Sequence, residues 1–339
     1  MPSSHHHHHC LVLLLLFVVG AALPAVVSGE QGAACDVQYR QEDLRPDRLT
    51  VLLSGYSERR LPLLRAIAGA YAAHPLVLAV IVLWCNPSTP DDRLLFPRFP
   101  PRVSLHRAAS SSLNSRFLPH ASIRTAAVAV ADDDVLPDAA AISFAFAAWQ
   151  QQRPGALVGF FPRSHRLDLA RGRWAYAAPQ PGRYSMVLTK FLVLGADLLR
   201  KYSCSPELAA ARAVVDRERN CEDILMNFVA AEESGEGPLL VEAGSVRDWG
   251  DPRNDANASV VASDSEEGGT GTGAEMKAAG LSSRGGVGHW EKRGECITEF
   301  HRLLGRMPLR YSYGKLVEAS VGEQGLCSKG GRLVRCDRE

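Results

Sequence analysis

The sequence lacks an excess of charge of either sign: 38 basic residues stand against 37 acidic ones, a formal net charge of +1. No global field therefore draws the chain to nucleic acid or to an anionic surface, and nucleic acid is not expected among its partners. No internal repeat is visible. Lysine and arginine are absent from the first nine residues, whose histidines at 5–9 are given no catalytic role. That absence leaves the orientation of the following apolar run poorly specified by the positive-inside rule. Large apolar residues are almost missing from residues 251–288, a stretch of Gly, Ser, Glu and Ala expected to form a disordered insert.

What is present describes a globular chain. The 339 residues, 46% of them hydrophobic, suffice for one large domain or two small ones. One charge-free run extends from Cys10 to Val27, close to the roughly 17 residues that the shorter spanning helices need. It reads as a targeting segment: a retained signal anchor over 10–28 is favoured, and a cleaved signal peptide is the alternative. Residues 1–9 then form a short cytosolic leader, 29–48 a stem, and 49–339 the folded domain. Either form of the leader places that domain in an oxidising lumen, where the eight cysteines can form disulfides. Asn257-Ala-Ser259 supplies a glycosylation sequon.

Hydrophobic patterning predicts an α/β fold. Leu49-Thr-Val-Leu-Leu-Ser54 reads as a buried strand, residues 61–73 as an amphipathic helix, and residues 76–83 as a second strand. This βαβ order predicts a mostly parallel sheet flanked by helices. A helical segment from Ser110 to Thr125 is expected next, then the strand Ala126-Ala-Val-Ala-Val-Ala131, which runs straight into Asp132-Asp133-Asp134. Residues 139–151 read as a helix with Phe144, Phe146 and Trp149 toward the core. Residues 157–161 read as a strand, 184–194 as an apolar segment and 221–231 as the opening of a helix.

Three aspartates in a row beyond an apolar strand raise one another's pKa unless a cation compensates them. A hard divalent ion, manganese or magnesium, takes one or two carboxylates and fills its shell with phosphate oxygens and water. The alternative is a solvated acidic turn that caps the following helix. Glu222 and Asp223 form a second acidic pair at a helix start, able to face a sugar's reacting carbon or, again, only to cap the helix. Arg116 and Arg293 are candidate phosphate clamps, although an arginine chosen from sequence is commonly a surface residue.

Taken together, the segments Val80-Ile-Val-Leu-Trp-Cys-Asn86, Val130-Ala-Asp-Asp-Asp-Val135, Phe144-Ala-Phe-Ala-Ala-Trp-Gln150, Val158-Gly-Phe-Phe-Pro-Arg-Ser-His165, Tyr184-Ser-Met-Val-Leu188, Asn220-Cys-Glu-Asp-Ile-Leu-Met-Asn-Phe228 and Met307-Pro-Leu-Arg-Tyr-Ser312 resemble the exostosin-like glycosyltransferase family 64 and its small plant members. The resemblance spans about Thr50 to Tyr313 and omits 251–288. It implies a GT-A fold and a retaining transfer from a UDP- or GDP-sugar, usually with manganese. It implies that Asp132 and Asp133 meet the donor's ribose and sugar, that Asp134 binds the metal, and that Asp223 is the catalytic carboxylate with Glu222 beside it. Arg116 matches a donor-contacting arginine, Arg293 one near the diphosphate, and Asn86 lies in the loop that approaches the base. Cys221 and Cys296 match a disulfide.

Two departures fall in the donor pocket. Glu58 stands where the animal relatives place an arginine, leaving Arg59 or Arg60 as substitutes that are not carried over. Ser111 replaces an asparagine, with Asn114 as the stand-in. The plant relatives point to glycosylinositol phosphorylceramide as acceptor, in a Golgi or ER membrane with a luminal domain; secretion after leader cleavage is the alternative. The competing readings are a transferase for cell-wall polysaccharide or glycoprotein, a catalytically silent GT-A binding domain, and a secreted lectin.

Overall fold

A computed structural model describes residues 29–95, 98–152, 155–251, 287–318, 326–329 and 332–335. The leader, residues 252–286 of the expected insert and the sequon at Asn257 lie outside the described residues. Among the described residues no helix is long and apolar enough to cross a membrane.

Eight strands form the central sheet: β1 (Arg45–Gly55), β2 (Val77–Trp84), β3 (Val103–Arg107), β4 (Thr125–Asp132), β5 (Val158–Gly159), β6 (Phe191–Gly195), β7 (Leu239–Glu242) and β8 (Leu316–Val317). Their order across the sheet is β8-β7-β5-β6-β4-β1-β2-β3. Strand β6 runs antiparallel to both neighbours, and the other pairings are parallel, so the sheet is mixed and mostly parallel as expected.

The near-continuous apolar runs of β1, β2 and β4 follow from burial on both faces. Leu52, Ile81, Val128 and Val130 point into one core cluster, whereas Val51, Leu53, Val80, Val82 and Ala129 point into the other. Helices cover both faces. They are α1 (Gly29–Cys35), α2 (Leu61–Ala73), α3 (Asp91–Leu95), α4 (Ala139–Gln150), α5 (Ala196–Cys204), α6 (Ala209–Glu218), α7 (Glu222–Ser234) and α8 (Val287–Leu304). Leu64, Ile67, Ala68 and Tyr71 give α2 a buried stripe at helical spacing, packed with α4 against the second cluster. Residues of α5, α6, α7 and α8 fill the first cluster.

The expected helical segment 110–125 contracts to a 3-10 turn, Leu113–Phe117. Pro119 has no N–H to donate and pushes Leu118 into the extended region, with ψ at 136°. The apolar stretch 184–194 divides into Arg183–Tyr184, Met186–Val187 and β6. In α4, Phe146 is buried, while Phe144 and Trp149 are half-buried against the same cluster. Residues 29–48 carry α1, the start of β1 and a disulfide from Cys35 to Cys204.

Register aligns the carboxyl ends of four strands. Asp132 pairs with Ser54, Gly55 with Trp84, and Trp84 with Arg107. The segments that follow β4, β1, β2 and β3 therefore leave the sheet side by side, where open α/β sheets place their ligands.

Candidate active site

The acidic run is pinned by its backbone before its side chains matter. Asp132 N–H donates to the Lys190 carbonyl at 3.2 Å, and Trp249 N–H donates to the Asp134 carbonyl at 2.8 Å. Beyond the run, Val135–Pro137 pairs with Val246–Asp248. Asp133 and Asp134 are buried and Asp132 is half-buried. The helix α4 is capped by Asp138, whose carboxylate accepts from Ala141 N–H at 2.8 Å. The triplet is thus not the helix cap that the alternative reading would make it.

Arg60 supplies the counter-charge, with Nη1 2.8 Å from Asp133 Oδ1 and Nη2 on Asp134 Oδ2. Burial nevertheless pushes the Asp133 carboxyl up to about 7, against the pull of Arg60 and with help from Asp134 and Asp132. Burial, then Asp132, also raises Asp134. Beside the pair, Asp248 accepts from Lys190 Nζ at 2.5 Å and from Gly250 N–H at 2.9 Å. A Cβ on Gly250 would lie 2.4 Å from Asp134 Oδ2, so only glycine leaves that oxygen its space.

The second acidic pair opens α7. Arg219 and Cys221 both adopt left-handed backbone, with φ of 48° and 76°, a conformation that costs a non-glycine residue about 1 kcal/mol or more. Surrounding bonds hold it in place. Cys221 is joined to Cys296 of α8, and Asn220 Oδ1 accepts from Cys221 N–H and from Arg293 Nη1, each at 2.8 Å. Arg293 Nη2 reaches Asp223 Oδ2 at 2.5 Å, and its guanidinium lies 4.4 Å above the Tyr176 ring. No side-chain cap among the described residues closes the start of α7; there the Asp223 carboxylate accepts from its neighbour Ile224 N–H, at 2.9 Å, and from Arg293. Burial raises the Glu222 carboxyl, Asp223 adds to the rise, and Arg116 opposes it.

Arg116 joins the two centres. Its Nη1 donates to Glu222 Oε1 and Thr189 Oγ1, both at 2.8 Å, and its Nη2 pairs with Asp132. Burial works against its charge, but Asp132 and Glu222 outweigh burial and keep it protonated. Among the described residues, the Nε atoms of Arg116 and Arg293 are buried without a hydrogen-bond partner.

The structure thus gathers Arg116, Asp132, Asp133, Asp134, Glu222, Asp223, Arg293 and the Cys221–Cys296 bridge into one site. Asn86 sits half-buried just past β2, its side chain accepting from Ser88 N–H at 3.0 Å. Asn114 is engaged elsewhere: it accepts from Tyr202 Oη at 2.6 Å and donates to the Arg212 carbonyl and to Asp216. Sequence reasoning did not single out Asp248, Lys190, Thr189, Asn220 or Tyr176. Only Asp248 carried a local signal, as the first acid of Asp248-Trp-Gly-Asp251 before the insert.

Among the described residues no group of three or more His, Cys, Asp or Glu surrounds a metal position. The residues nonetheless fit a hard divalent ion. Their donors are carboxylate oxygens short of counter-charge, and the glycine-lined space beside Asp134 Oδ2 suits an ion that takes its remaining ligands from phosphate and water.

A profile of the glycosyl transferase family 64 domain matches residues 49–321. The chain is 48% identical over 317 residues to glycosyltransferase family protein 64 C3 of Arabidopsis thaliana, covering 90% of this chain and 91% of that protein. It is 27% identical over 303 residues to glycosylinositol phosphorylceramide mannosyl transferase 1 of Arabidopsis thaliana, covering 80% and 79%. Against exostosin-1c of Danio rerio the identity is 30% over 253 residues, covering 70% of this chain but 29% of that longer protein. Among solved structures, the likeness to a mannosyltransferase from Pyrobaculum calidifontis in complex with GDP-Man and Mn2+ reaches 15% identity and a TM-score of 0.32, covering 61% of this chain and 71% of that one, too slight to carry an argument.

Proposed function

This chain belongs to glycosyl transferase family 64 and is a glycosyltransferase, and from that premise we propose a metal-dependent, retaining transfer from a UDP- or GDP-sugar to a glycolipid acceptor of the glycosylinositol phosphorylceramide class. The observation that carries the reading is the pair of contacts made by Arg116, which ties Asp132 of the strand-end run to Glu222 of α7. One buried guanidinium thereby couples a donor-binding end to a reacting end. The acceptor class is suggested by a relative whose name states it.

In this reading Asp134 holds manganese, or magnesium in its place, while Asp132 and Asp133 face the ribose and sugar of the donor. When bound, the ion neutralises charge that develops on the departing diphosphate. Arg293 orients the Asp223 carboxylate, and Asn220 anchors the other arm of the same guanidinium. Asp223 then faces the anomeric carbon and stabilises its developing positive charge, by direct bonding or by electrostatics. Asn86 borders the base. We place the site in a domain over 49–339, interrupted by an insert and anchored in a Golgi or ER membrane through residues 10–28. Support for the lumen comes from two disulfides, Cys35–Cys204 and Cys221–Cys296, which persist in oxidising compartments.

The test is a thermal-shift screen of the full-length chain against UDP- and GDP-sugars, with and without manganese. A donor at a hundredfold excess over its dissociation constant stabilises by about 2.7 kcal/mol. Stabilisation by GDP-mannose alone assigns a mannosyl donor, and stabilisation by UDP-sugars a hexosamine-type donor. If no nucleotide sugar stabilises the protein, the reading is wrong.

A further inference from the structure

Arg60 occupies the ground that the ion needs. Both terminal nitrogens of its guanidinium lie on Asp133 and Asp134, and the Asp134 oxygen it takes is the one next to the space left by Gly250. A guanidinium and a divalent ion cannot share one buried carboxylate oxygen without strong repulsion between them. We propose that Arg60 is an exchangeable counter-ion: it neutralises the acidic run in the donor-free protein and is displaced onto the donor's diphosphate when the ion and nucleotide arrive. The inference rests on the metal-dependent reading above.

The three arginines of the site differ in anchorage. Arg116 is bonded to Thr189, Asp132 and Glu222, and Arg293 to Asn220, Asp223 and the Tyr176 ring. The Arg60 side chain has only the two aspartates among the described residues, and it stems from a three-residue 3-10 turn, Glu58–Arg60. Its backbone forms the N-cap of α2, a helix with no acidic residue in its first turn and no side-chain cap. The positive end of a helix disfavours a resident cation and favours an anion, so an arriving diphosphate finds both the helix end and the released guanidinium. Register puts this turn just past Gly55, in the row of strand ends where the nucleotide is proposed to lie.

The signature is a pair of opposite changes. In the full chain, Arg60→Gln removes a competitor for the ion, so Mn2+ titrated without nucleotide and followed by electron paramagnetic resonance binds about tenfold more tightly than to wild type, within the usual range of coupled binding. The same variant loses the group that meets the diphosphate, so UDP and GDP at saturating Mn2+ bind about tenfold more weakly by calorimetry. Arg60→Lys keeps the charge without the fork and falls between the two in both measurements. Unchanged or weaker Mn2+ binding, or unchanged nucleotide binding, overturns the inference, provided that circular dichroism reports a folded chain. Asp134→Ala separates the two layers of argument. If Asp134→Ala loses Mn2+ while Arg60→Gln matches wild type, the exchange fails alone; if Asp134→Ala binds Mn2+ like wild type, the metal reading falls and takes the exchange with it.

Discussion

Asp133 and Asp134 meet their arginine across a loop, whereas Asp223 meets its arginine across two helices joined by a disulfide. Both centres bury two carboxylates close together, and burial raises a carboxyl in each. What separates them is how firmly the counter-charge is held. Arg293 is braced by Asn220 and Tyr176 and lies three residues from the bridging Cys296, so Asp223 keeps one orientation. Among the described residues Arg60 has no such brace. The contrast suggests that one centre is built to exchange a cation and the other to hold a carboxylate still.

The sharpest way to break that contrast is to remove one acid from each centre. Asp223→Ala is expected to cut turnover by about a thousandfold while donor affinity stays within about threefold, the pattern of an interaction made only in the transition state. Asp134→Ala is expected to weaken manganese-dependent donor binding by about a hundredfold or more, since losing even an outer-shell partner of a metal ligand costs about ten- to a hundredfold. Calorimetry with the nucleotide sugar and steady-state kinetics check both, and equal donor affinity in Asp134→Ala and wild type sinks the metal assignment.

The disulfide tests whether covalent bracing is the difference. Cys221 and Cys296 are 75 residues apart in sequence. Loss of a bridge closing a loop of this size, in Cys221→Ser/Cys296→Ser, is expected to cost about 4 kcal/mol in denaturant unfolding. It should reduce turnover more than Mn2+ affinity, because the acidic run carries no part of that bridge.

A pH series sharpens the comparison from the other side. The Asp133 carboxyl is held up to about 7 against an ordinary 3.8. Because its folded value lies above its unfolded one, its contribution to stability is full below pH 4 and is lost as pH rises through 7. Metal-free protein is therefore expected to lose thermal stability across that range. Added Mn2+ should flatten the slope, and Asp133→Asn should remove its share while Glu222, raised in the same sense, keeps the rest. Melting temperatures from pH 4 to 8, with chelator and with Mn2+, measure this.

The smallest effect is expected at Asn114. Its amide is spent on Tyr202, Arg212 and Asp216, so Asn114→Ala should lower stability by about 1 kcal/mol per bond lost and leave donor affinity within about twofold. A large loss of donor affinity would instead make Asn114 a donor contact.

Much of this was legible in the chain. The span of α2 and the strands β1, β2 and β4 follow from periodicity and from apolar runs that end at the site. The reversed direction of β6 was not, because an apolar run reads the same whichever way it pairs. The acidic run stands out by its charge, but its partner Arg60 lies 74 residues earlier, in a turn with nothing to set it apart from Arg59. The helical segment expected to reach Thr125 stops at Phe117, because Pro119 holds Leu118 in the extended region, a boundary that apolar patterning does not mark. Lys190 and Thr189 join the site only because β6 lies against β4, a pairing no local pattern encodes.

Gly250 has no functional group, yet a single added methyl would fall 2.4 Å from an Asp134 oxygen and 3.3 Å from one of Asp248. Since the nearest obstacle is the tip of a side chain rather than backbone, the fold can yield and the carboxylate must move. In a survey of natural alleles, Gly250→Ala would therefore appear as a benign exchange of two small residues in a protein of normal abundance, while, on the proposed metal-binding role of Asp134, it is expected to behave as a loss-of-function allele of the acidic run.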